Sequence, residues 1–145
     1  MKLLHISVCA RDAEGLATFY GEALGCIPRR PRRVLAGERV WRGNGLPDVE
    51  ISSVWLGLPG RDAPFLEILE YSVTAEGRQA AVNAPGYNHL SFAVADIHAT
   101  CASILRAGGQ IQGEITDFGT EGAPHLIVYM RDSEGNLLEL EQPPA

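Results

Sequence analysis

Two histidines and two glutamates stand at places that correspond across an internal repeat. The segment HISVCARDAEGLATFYGEALGC begins at His5, and HLSFAVADIHATCASILRAGGQ begins at His89. An offset of 84 residues carries His5 onto His89, Ser7 onto Ser91, Asp12 onto Asp96, Ala23 onto Ala107 and Gly25 onto Gly109. Later in each copy, Leu66-Glu67-Ile68 matches Leu138-Glu139-Leu140 at an offset of 72. Each of the four polar residues alternates with apolar neighbours, so in extended chain all four fall on the face opposite the apolar side chains. Imidazoles and carboxylates at sheltered positions are costly without a partner, and four at matched places call for a shared one. A divalent cation meets that need. Two neutral imidazoles and two carboxylates leave it formally neutral, and the N and O donors with added water suit Ni, Co, Mn, Fe, Mg or Zn. One such ion is the expected cofactor, held by His5, Glu67, His89 and Glu139.

The elements that must place these residues follow from the same segments. Leu4, Ile6 and Val8 oppose His5 and Ser7; Leu90, Phe92 and Val94 oppose His89 and Ser91. Each strand leads into a helix with a plausible N-cap, Asp12 or Asp96. Leu16, Phe19, Tyr20, Ala23 and Leu24 form one apolar stripe, and Ile97, Cys101, Ile104 and Leu105 the other. Gly25 and the Gly108-Gly109 pair sit where a helix end needs positive φ. Further strands are expected at 49–58, 65–71, 110–115, 125–132 and 137–141, with a variable hairpin region over about 29–47. The chain therefore reads as α+β, with two βαβββ modules (about 1–71 and 87–142) joined by a linker at 72–86 in a single domain.

Composition limits the partners. A chain of 145 residues with 46% hydrophobic content suffices for one domain. The net charge of −6 argues against nucleic acid as the main partner. No apolar run is long enough for a membrane span or a signal peptide, so a cytoplasmic location is expected. Cys9, Cys26 and Cys101 are odd in number and widely spaced, which suits reduced thiols better than a disulfide frame. Against the acidic background, Arg29, Arg30, Arg32, Arg33, Arg39 and Arg42 supply six of the twelve basic residues. Guanidinium forks match phosphate and carboxylate, so Arg29, Arg30 and Arg33 are candidate contacts for an anionic small-molecule substrate. His125 and Tyr129 are candidates from the other module. Trp41, Trp55 and Tyr129 are expected to pack in strands.

Three stretches carry a family resemblance: His5 with the following helix ending in ALG, PGYNHLSFAVADI, and RDSEGNLLELEQ. Together they resemble the vicinal oxygen chelate superfamily, the fold of glyoxalases, bleomycin-resistance proteins and extradiol dioxygenases, over nearly the whole chain. That resemblance implies a U-shaped mixed sheet around the metal, and a homodimer. It also implies the four ligands named above. The methylmalonyl-CoA epimerase and glyoxalase I branches are the most similar. They imply an isomerase or lyase acting through a metal-stabilised enolate on a small carbonyl or acyl-thioester substrate, with Glu139 as ligand and base. A Glu at position 50 resembles the epimerase branch's second catalytic carboxylate. FLEILEY lacks the Thr-x-Asn of the glutathione-binding glyoxalases. Two alternatives stand beside this reading. An extradiol-type dioxygenase would use a two-His-one-carboxylate triad with Glu67 as a bystander. A metal-free resistance protein would bind a drug in an aromatic cleft.

Overall fold

The computed structural model describes residues 1–75 and 81–144; part of the expected linker, 76–80, lies outside the described residues. The elements run β1 (His5–Ala10), α1 (Ala13–Leu24), β2 (Ile27–Pro28), β3 (Arg33–Leu35), α2 (Glu38–Asn44), β4 (Ile51–Gly57) and β5 (Phe65–Tyr71) in the first module. The second has β6 (His89–Ala93), α3 (Ile97–Arg106), β7 (Gln110–Ile111), β8 (Thr116–Asp117), β9 (Leu126–Arg131) and β10 (Leu137–Gln142). Each module forms its own compact unit around a five-stranded mixed sheet. The first is ordered β1-β5-β4-β2 with β3 also on β4; the second is ordered β6-β10-β9-β7 with β8 also on β9. The opening and closing strands of each module lie side by side and parallel. None of the described helices is long and apolar enough to cross a membrane.

The two helices of the repeat begin alike. Asp12 accepts from the Gly15 N–H and Asp96 from the Ala99 N–H, each at 2.9 Å, which satisfies one free donor of the first turn. A second donor is taken by the closing strand: the Ala13 N–H donates to Glu70 (2.9 Å) and the Ile97 N–H to Gln142 (2.8 Å). These bonds tie each helix to one face of its sheet. On that face Val54, Leu56, Leu66 and Ile68 are buried in the first module, and Val128, Met130, Leu138 and Leu140 in the second. The helical stripes that are fully buried are Ala13, Leu16, Phe19 and Tyr20 in α1, and Ile97 and Ile104 in α3. Leu105 departs from the expected stripe at 45% exposure. Gly25 ends α1 at φ +69°, a left-handed position where any side chain adds strain.

The expected hairpin at 29–47 is instead one short strand, β3, and the helix α2, which has no buried residue. Trp41 belongs to that helix rather than to a strand, and its indole N–H donates to the Val49 carbonyl at 2.9 Å. The expected strand at 110–115 shrinks to the two-residue β7, and a second two-residue strand, β8, follows it at Thr116–Asp117. In RDSEGN, Asp132 is 1% exposed and accepts from the Glu134 and Asn136 N–H groups and the Asn136 side chain. Gly135 takes φ +90° there. The motif is thus a self-bonded turn that aims β10 and the acid it carries.

Candidate metal-binding and catalytic half-sites

Register decides what each glutamate meets. Glu67 of β5 lies between Ser7 of β1 and Trp55 of β4. Glu139 of β10 lies between Ser91 of β6 and Tyr129 of β9. Residues level across neighbouring strands share a face, so both modules build the same row: serine, glutamate, aromatic. The histidine two residues before each serine shares that face as well.

In the first module His5 Nε2 stands 3.4 Å from Glu67 Oε2. The Ser7 hydroxyl donates to that same oxygen at 3.0 Å. The other oxygen accepts from the Trp55 indole N–H at 2.8 Å and the Ser53 hydroxyl at 3.2 Å. The carboxylate is therefore fixed from three sides. With about two lone pairs per oxygen, Oε1 is saturated, and Oε2 keeps one free, next to the imidazole. In the second module His89 Nε2 is 3.8 Å from Glu139 Oε2, and His89 Nδ1 meets Asn88 Oδ1 at 3.0 Å. Hydrogen bonding to Glu139, with burial, pushes the Tyr129 phenol up to about 12. The two glutamate side chains are equally sheltered at 14% exposure, whereas His5 and His89 remain more open at 42% and 29%.

Each pair fits a metal ion as a two-donor bite. Donors about 2.1 Å from one ion are roughly 3.0–3.4 Å apart, close to the 3.4 Å of His5 and Glu67 and slightly under the 3.8 Å of His89 and Glu139. Among the described residues, no group of three or more His, Cys, Asp or Glu is placed to hold an ion by itself. Two donors per module is thus what each unit offers.

The remaining candidates fall in three groups. Arg29 and Arg30 lie beside the first half-site. The Arg30 guanidinium sits 4.1 Å over the Trp55 ring and donates to Ser53 at 2.9 Å, while Arg29 lies 5.1 Å over Phe65. Burial and the neighbouring Arg33 lower the Arg30 pKa, with Glu67 opposing. Arg33 is level with Ser53 across β3 and β4, which puts it on the face of Glu67. His125 precedes β9 in phase with Tyr129, and its Nε2 is 3.2 Å from Glu141 Oε2. The Ser91 hydroxyl donates to the other Glu141 oxygen at 2.6 Å. The Ser91 bond, then His125 and Glu139, hold Glu141 below the usual carboxylate range against the effect of burial.

Glu50 is not brought to this site. It is exposed and precedes β4, where its backbone bonds Ser72. Counted back along β4, it shares phase with Val54 and Leu56, the face away from Glu67. Ser7, Ser53, Trp55 and Glu141 are the residues that sequence reasoning left out. Ser7 and Ser91 carried a signal, because they recur in the repeat two positions after each histidine. Trp55 and Ser53 carried none, since only the β4–β5 register reveals them.

The chain is similar to known proteins over nearly its whole length. Residues 2–140 match the family model described as Glyoxalase/Bleomycin resistance protein/Dioxygenase superfamily. An ethylmalonyl-CoA/methylmalonyl-CoA epimerase of Cereibacter sphaeroides is 26% identical over 142 residues, covering 97% of each chain. A lactoylglutathione lyase of Haemophilus influenzae is 24% identical over 140 residues, 96% of this chain and 90% of that one. A glyoxalase family protein from Bacillus cereus superposes with a TM-score of 0.88 at 23% identity, over 100% of this chain and 95% of its own. At that identity the last likeness speaks for the fold alone.

Proposed function

Because this chain belongs to the Glyoxalase/Bleomycin resistance protein/Dioxygenase superfamily, we propose that it is a divalent-metal-dependent isomerase or lyase that moves a proton at the carbon beside a carbonyl. The observation that carries this reading is the repeated His–Glu pair, built at equivalent positions of two sheets. His5 and Glu67 supply two donors, and His89 and Glu139 supply two more; one ion that took all four would be neutralised. A bound divalent ion supplies Lewis acidity, which lowers the cost of enolate charge on a carbonyl oxygen.

The chain's own groups divide the remaining work. Glu67, gripped by Ser7, Ser53 and Trp55, is the immobile carboxylate and suits holding. Glu139 is the base: its carboxylate takes the proton from the α-carbon and returns it to a carbon of the same substrate. Tyr129 orients it. Arg30 and Arg33, on the face of Glu67, suit an anionic group on the substrate. Similarity to an acyl-CoA epimerase and a lactoylglutathione lyase supports a small thioester or thiol-adduct carbonyl compound, and the family resemblance supports a homodimer.

Elemental analysis of wild type, Glu67→Gln and Glu139→Gln tests the ligand set. Stoichiometric metal in wild type, lost in both variants, is the expected outcome; retention by both variants sinks it. Incubation of acyl-CoA and α-oxo thioacetal substrates in deuterated water tests the chemistry. Metal-dependent exchange at the α-carbon is expected, abolished by Glu139→Gln. Ring cleavage of a catechol with bound iron would move the assignment to oxygen chemistry.

A further inference from the structure

The face that carries His5, Ser7 and Glu67 continues into an apolar cavity of about 540 Å³. Its walls include Cys9, Leu46, Pro47, Val49, Tyr71 and Val73, and among the described residues none that lines it is charged. Strand phase puts Cys9 on the side of His5 and Ser7, and Tyr71 on the side of Glu67. At a rise of about 3.3 Å per residue, Cys9 lies roughly 7 Å beyond Ser7, and Tyr71 roughly 13 Å beyond Glu67. Burial raises the Tyr71 pKa, and the neighbouring Cys9 and then the more distant Glu67 add to the effect. Leu46 and Val73 are 49% and 74% exposed and present large apolar surfaces at the rim.

We infer that this cavity receives an apolar substituent of the substrate, an alkyl chain or a small ring larger than methyl, borne next to the carbonyl that reacts at the His5–Glu67 pair. The inference rests on the proton-transfer reading for where the carbonyl stands. The volume is that of a small-molecule site. The described walls offer no charge to pair with the anionic end of the substrate, which belongs with Arg30 and Arg33. A methyl group would leave most of the cavity empty, whereas a span of roughly 7–13 Å along the strands suits a chain or ring.

The test titrates straight-chain carboxylates from butanoate to decanoate into the intact protein by calorimetry. Affinity should rise about threefold to fourfold per methylene until the cavity is full. Cys9→Phe fills the space from the sheet and should weaken decanoate at least about tenfold while leaving butanoate unchanged. If that variant does not fold, Val73→Trp narrows the cavity from its exposed rim and should do the same. A flat response to chain length, or filled variants that bind decanoate as wild type does, overturns the inference. Deuterium exchange separates the two claims. Chain-length-dependent binding without any exchange keeps the cavity as an apolar subsite and removes the enolate reading. Exchange with binding that ignores chain length removes the cavity and keeps the reading.

Discussion

Glu67 and Glu139 occupy equivalent places, yet their partners differ in number and kind. Three side-chain donors hold Glu67, while Tyr129 is the aromatic donor on Glu139. Trp55→Phe removes one donor and keeps the ring. Partners of this kind are worth about 10–100-fold in metal affinity, so Co²⁺ titration of the variant should show a loss in that range with an unchanged melting temperature. Tyr129 gives a spectroscopic handle. Its folded value of about 12 lies above its ordinary value near 10. The sign follows: the bond to Glu139 contributes stability in full below about pH 10, and loses it as pH rises through about 12. In chelator-treated protein, absorbance titration should find one tyrosine ionising near 12, and Glu139→Gln should return it toward 10.

The elements that carry these residues are set by short local signals and then by pairing. Asp12 and Asp96 cap their helices with matching bonds. Each Asp→Ala change should cost about 1 kcal/mol, read as a drop of roughly 3–5 °C in melting temperature, with metal stoichiometry unchanged. Much of this level was legible in the sequence. The repeat gave both opening strands, both caps and both closing glutamates, because alternation and capping are local. Helix α2 was not legible, because ERVWRGN buries nothing and so shows no apolar stripe. Phase along β4 was readable, but which phase faces Glu67 depends on pairing with β5. Alternation alone therefore does not bring Trp55 to Glu67, nor show that Glu50 lies in the opposite phase.

At the scale of the whole molecule, charge is distributed against its own average. The chain carries −6, yet six arginines crowd into positions 29–42. An anionic substrate is repelled by the whole and drawn by this patch, so its capture should depend on salt. Raising ionic strength from about 0.05 to about 0.5 M shortens the Debye length several-fold and should lower kcat/KM for an anionic substrate. Arg33→Gln should weaken that dependence while sparing kcat.

The parallel pairing of β1 with β5, and of β6 with β10, has a kinetic consequence. Ser7 and Glu67 are sixty positions apart, and Ser91 and Glu141 fifty. Joining such distant segments is the slow part of assembling a module, because loop closure must be met before contacts repay it. Histidine and glutamate meet only when that step is complete, so an incompletely folded module has no paired donors to offer. A ligand that grips both side chains then acts as a clasp on the longest loop of its module, and its removal should quicken unfolding before it changes anything else.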